Sequence, residues 1–136
     1  VARAPHSRGT GAVSTVAGVA AFLLFLLFAV QLLVNLYAAS AVTAAGFDAA
    51  RTVASRHVDH GDPASVLAAQ QVADGRFRSL LGRSADTAEL RWSVDQERVR
   101  LHVRVEAPAV LPTSLGHRVA FGRIERTFEV RVEALT

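Results

Sequence analysis

The stretch AFLLFLLFAVQLLVNLYAAS, residues 21–40, carries no charge. It lies within a longer apolar run, Val16 to Leu36, whose members are small or apolar until Gln31 and Asn35. A bilayer core is about 30 Å thick, and about 20 apolar residues in a helix span it. In hydrocarbon each backbone N–H and C=O has to bond within the segment, so the run must be helical. The core of a cleaved signal is shorter, about 7–15 residues. The small residues Ala39, Ser40 and Ala41 offer a cleavage site all the same, so an exported soluble enzyme with a removed signal is one competing reading.

The flanks set an orientation. No charged residue occurs between Arg8 and Asp48. Arg3 and Arg8 precede the run with no acid beside them, whereas Asp48, Arg51, Arg56 and Asp59 follow it and balance. The positive-inside rule then places the N-terminus in the cytoplasm and the C-terminus outside, as a single-pass protein. Tyr37 sits where an interfacial anchor belongs.

Past Tyr37 the sequence YAASAVTAAGFDAARTVASRHV has no proline and much alanine. Val42, Ala45, Ala49 and Val53 recur at helical spacing. Gly46 costs about 1 kcal/mol relative to alanine, a tolerable interruption. One helix of more than forty residues is expected, from about Ala12 to His57, with the stop at His60-Gly61-Asp62-Pro63. A proline placed at Ala45 is expected to break this stem and leave the outer domain folded.

The outer part, residues 62–136, reads as α+β. Asp62-Pro63 is a helix start, an N-cap followed by proline at the first position. Val66, Gln70, Ala73, Phe77, Leu80 and Leu81 share one face of that second helix, and Gly82 suits its C-terminal cap. After Asp86 the period changes to two. Leu90, Trp92 and Val94, then Val99, Leu101, Val103 and Val105, alternate with polar residues across a four-residue connection, Asp95 to Arg98, which is an antiparallel hairpin. Pro108 and Pro112 bracket a loop. Phe128, Val130 and Val132 form a third run, and the parity break between Phe121 and Ile124 places a bend or bulge at Gly122. A three-stranded sheet with one apolar face needs a covering layer, and the two helices supply it.

Composition excludes several chemistries. The 136 residues include no cysteine, so disulfides and thiolate sites are absent. All fifteen basic residues are arginine, and those of the later segments interleave with glutamate, giving a net charge of +3 and a solvated face rather than a nucleic-acid surface. His57, Asp59 and His60 cluster at a helix end, where a solvated turn is a better reading than a metal site. His102 and His117 read as surface residues. No phosphate loop, nucleophile elbow or zinc-protease motif occurs, so neither an enzyme nor a cofactor is expected. For association, Gly11, Ser14, Thr15 and Gly18 make small-xxx-small patterns that let helices approach closely. Gln31 and Asn35, four apart, share a face. They either bond across helices or are hydrated among the headgroups, and the second is preferred.

The order of motifs resembles the TadE-like pseudopilins of tight-adherence (Tad/Flp) pilus systems. The likeness lies in Arg8-Gly9-Thr10-Gly11-Ala12-Val13-Ser14, the apolar run, Leu36-Tyr37-Ala38, and Ala44-Ala45 through Asp48-Ala49-Ala50-Arg51, with VRLHVRVEAPAV as the β-rich tail. It covers roughly residues 8–56. It implies a pilin-like, single-pass bacterial membrane protein that assembles with other pilin-like subunits or Tad assembly proteins. Gly9 or Gly11 would be the leader-peptidase site, starting the mature chain at Thr10 or Ala12. Processed pilins of this kind carry a glutamate five positions after the cut. Here that position is Ser14 or Val16, which suits a minor or unprocessed subunit better than a repeating one. The alternative is an anchored extracytoplasmic adaptor or binding module that never polymerises.

Overall fold

The computed structural model describes residues 10–108 and 122–133. Gly9, Arg8, Pro112, His117 and Phe121 lie outside them. The chain is α+β, as the periodicities predict. A 44-residue helix, α1 (Thr10–Val53), is followed by a 19-residue helix, α2 (Pro63–Leu81). A short 3-10 helix at Gly82–Thr87 then leads to strands β1 (Glu89–Val94), β2 (Arg98–Glu106) and β3 (Arg123–Arg131). The sheet order is β1-β2-β3 with both pairings antiparallel. The outer half of α1 and the whole of α2 lie on one face of this sheet, and the apolar core forms between the layers.

Local chemistry fixes the ends of α2. Both carboxylate oxygens of Asp62 accept from the first-turn N–H groups of Ala64 and Ser65, which satisfies donors that the helix cannot. At the other end Gly82 takes φ +56, a region glycine enters without a Cβ penalty, and its N–H bonds back to the Arg78 carbonyl. Ala73 and Phe77 are the buried members of the predicted stripe. Leu80 is not: it is 62% exposed, at the mouth of a cavity between α1, α2 and the end of β2.

The long helix ends four residues sooner than the sequence suggests. Residues 54–62 form turns. The carbonyls that would carry the helix onward are taken by other partners. Val53 O bonds the His60 ring at Nε2, and Ala54 O accepts from Glu133 N beyond the last strand. The predicted stripe Val42, Ala45, Ala49, Val53 is buried in the core. A proline at Ala45 would therefore damage the domain as well as the stem, contrary to the simple expectation for that substitution.

The sheet follows the alternation closely. Val99, Leu101, Val103 and Val105 of central β2 are all buried. Leu90, Trp92 and Val94 are half-buried, and the Trp92 indole N–H donates to Asp74 on α2 at 2.9 Å. The hairpin is tighter than the four-residue connection suggests. Val94 pairs with Val99, and Asp95 N bonds Arg98 O, leaving only Gln96 and Glu97 in the loop. Gly122 stands at a bend and its carbonyl accepts from Ala107 N, extending the β2–β3 ladder.

The solvent face of the sheet is a ladder of opposite charges. Glu129 accepts from Arg98 and Arg100, each at 3.0 Å, and Glu125 faces His102 at 2.9 Å. Exposed pairs of this kind contribute little individually. They do set an acid response. The N–H groups of Glu97 and Arg98 hold the Asp95 carboxyl below its ordinary 3.8. Hydrogen bonds from Arg100 and then Arg98 hold Glu129 below 4.5. A carboxyl depressed in the folded state stabilises the fold above its ordinary value, and that contribution is lost as pH falls through the lower folded value. Stability is thus expected to decline below about pH 4. In Asp95→Asn/Glu129→Gln this acid limb should be shallower, read as the urea midpoint at pH 6, 4 and 3. An unchanged slope would remove these two groups from the account.

Candidate functional site

The feature that sets this chain apart from an ordinary small α+β domain is the free half of α1. From Gly11 to Val30 every residue is exposed, including Phe22, Phe25 and Phe28 and the leucines between them. A window of this helix has a mean hydropathy of 2.6 and almost no shelter from the rest of the protein. Exposed apolar surface on this scale marks a membrane or protein contact. Among the described residues this is the one helix long and apolar enough to cross a membrane.

The helix places the small residues of the predicted packing set on one side. At about 100° per residue, Gly11, Ser14, Thr15 and Gly18 fall on a common face. All four are exposed. The Thr15 hydroxyl donates to Gly11 O at 2.9 Å, so it meets its own need within the helix and leaves the face smooth. Carried along α1, the same face runs through Leu36, Ser40, Ala44 and Phe47, each of them exposed, with Leu36, Ser40 and Ala44 bordering a shallow cavity that Arg126 of β3 also lines. Tyr37 beside it is 77% exposed.

Gln31 and Asn35 lie on the opposite, domain-facing side. Gln31 has a partner within its own chain. It is 4% exposed, and its amide Nε2 donates to Pro108 O at 3.3 Å. The bond ties the segment after β2 to the apolar run, a partner that neither reading included. Asn35 is half-buried. Nothing local in the sequence pointed to Pro108, 77 positions away.

No family model matches this chain, and comparisons with curated proteins and with solved structures likewise found no match. The geometry therefore carries the functional reading.

The histidine cluster resolves into structural contacts. His60 Nε2 meets Val53 O, Asp59 accepts from Gly61 N and donates its own N–H to Ser65 Oγ, and His57 is exposed. Among the described residues no three metal-ligating side chains converge. His102 lies on the sheet surface between Thr127 and Glu125. Gly11, one of the two candidate cut sites, lies in the first turns of α1, and Ala39-Ser40-Ala41 lies inside that helix.

Proposed function

We propose that this chain is a pilin-like structural subunit of a tight-adherence pilus or a related export machine. In this reading α1 anchors it in a bacterial cell membrane, with the N-terminus cytoplasmic and the small domain outside. Subunits assemble side by side through the apolar helix, with no catalytic step. One observation carries it: α1 passes without a break from an exposed apolar run into the core of the domain. A plain anchor has no need of a rigid junction, whereas a helix that bundles with its neighbours must hold its domain in a fixed place on the bundle. The uncovered face from Gly11 to Phe47 supports the same reading, because small residues on it permit close helix approach.

A second reading, a non-polymerising anchored adaptor, is favoured by one feature. Neither Ser14 nor Val16 can supply the carboxylate that pairs with a neighbour's amine in a processed pilin core. Exchange of residues 13–30 for an unrelated leucine-alanine helix of equal length separates the two. Cross-linking in native membranes should lose the oligomer bands, while fluorescence of the sole tryptophan, Trp92, reports an intact domain. Unchanged oligomers would overturn assembly through this helix and leave the adaptor.

A further inference from the structure

Arg126 stands in an unusual place. Its position in β3 alternates with Ile124 and Phe128, which are 7% and 8% exposed, and it pairs in register with the buried Val103. The pleat therefore turns Arg126 toward the helix layer, where a hydrophobic residue is expected. The side chain is nevertheless exposed, at the edge of the sheet. Among the described residues it has no ion pair and no side-chain hydrogen bond, whereas Arg98, Arg100 and Arg104 on the opposite face all meet glutamates. It reaches a shallow cavity of about 410 Å³ shared with Leu36, Ala39, Ser40, Thr43 and Ala44 of α1.

The height of this cavity on α1 gives it meaning. Leu36 closes the apolar run, and Ser40 lies four residues beyond, about 6 Å along the axis. Headgroups add roughly 5–7 Å to each side of the hydrocarbon core. The domain covers one side of α1 from Gln31 upward, whereas on the other side Leu33 and Leu36 stay exposed for acyl chains, so a helix tilted with that side toward the bilayer brings the guanidinium and the Ser40 hydroxyl level with lipid phosphates. A guanidinium matches a phosphodiester with two parallel hydrogen bonds.

We propose that Arg126 and Ser40 seat the phosphate of an anionic phospholipid in the corner between α1 and β3, in the leaflet on the domain's side. The seat rests on the membrane reading of α1 but not on assembly. An inward charge on an edge strand also discourages strand pairing between molecules. That role is indifferent to lipid, which makes the two separable.

The test uses the full chain in liposomes of phosphatidylcholine with one-fifth phosphatidylglycerol. Flotation first reports insertion, and native mass spectrometry of the released protein then counts retained phosphatidylglycerol. Wild type should retain it about fivefold more than Arg126→Gln, the effect of one basic residue near an anionic surface. Arg126→Lys should fall between them. Thermal melting of each variant confirms the fold. Wild type that fails to float would overturn the membrane reading and the seat with it. Wild type that floats but retains no more phosphatidylglycerol than Arg126→Gln would overturn the seat alone. A change in oligomer size without a change in lipid would assign Arg126 to a protein contact, and the seat would again be overturned.

Discussion

Phe77→Ala is expected to remove about 3–5 kcal/mol from the stability of the outer domain. Phe77 is 1% exposed and is the largest of the fully buried side chains. It projects from α2 into the cluster that holds Ala49 and Val53 of α1 and Leu101 and Val103 of β2. Few other large groups could close the void, since the helix residues around it are mostly alanine: Ala45, Ala49, Ala50, Ala54 and Ala73. Small domains have only about 5–15 kcal/mol in total. The measurement is a urea titration of the detergent-solubilised full chain, followed at Trp92. A midpoint shift worth less than about 1 kcal/mol would mean that the helix layer relaxes into the space.

Gly46→Leu is expected to be nearly as damaging, about 3 kcal/mol, by the opposite route, overpacking. A Cβ at Gly46 would meet the Phe128 ring, at 2.6 Å from Cζ and 2.8 Å from Cδ2, with Cε2 closer still. Phe128 is itself buried, so the ring has little room to swing and the helix must lift from the sheet. Gly46→Ala carries a smaller clash, partly offset by the roughly 1 kcal/mol of helix propensity gained. Pairing it with Phe128→Leu should recover stability beyond the sum of the two single changes, since the shorter side chain vacates the notch. A double-mutant cycle reads this directly. Strict additivity would show that the two residues do not compete for the same space.

The contrast between these residues shows what the sequence could express. The ends of α2 were legible because Asp62 and Gly82 act on their own backbone neighbours. The inner face of β2 was legible because the side-chain period of a strand is two. The free apolar run was legible from its length and lack of charge, and the stripe Val42 to Val53 from helical spacing. Gly46 was not, since a glycine in a helix advertises only its propensity cost, and Phe128, the reason for it, lies 82 positions away. The end of α1 was misplaced for a related cause. Its terminal carbonyls are claimed by His60 and by Glu133, a competition that no local pattern announces. Gln31 was judged by the medium expected around it, and its bond to Pro108 depends on how the end of β2 returns to the helix. Within the candidate site, the small-residue face could be read off by spacing. Arg126 could have been noticed as the one charge in phase with Ile124 and Phe128, but its place beside Ser40 follows only from packing.

The two ties between domain and helix, Gln31 to Pro108 beside the apolar run and Ala54 to Glu133 at the far end, have a mechanical consequence. They lie 23 residues apart along α1 and its final turn, about 34 Å. Fastened at both, the sheet cannot swing about the membrane surface and must follow the axis of α1 as a pointer follows its spindle. A helix adjusts to bilayer thickness by tilting. A tilt of about 10° about a pivot in mid-membrane displaces the far end, some 40 Å away, by about 7 Å. With α1 across a bilayer, as proposed above, the thickness of the surrounding lipid would thereby be converted into the position of the outermost turn.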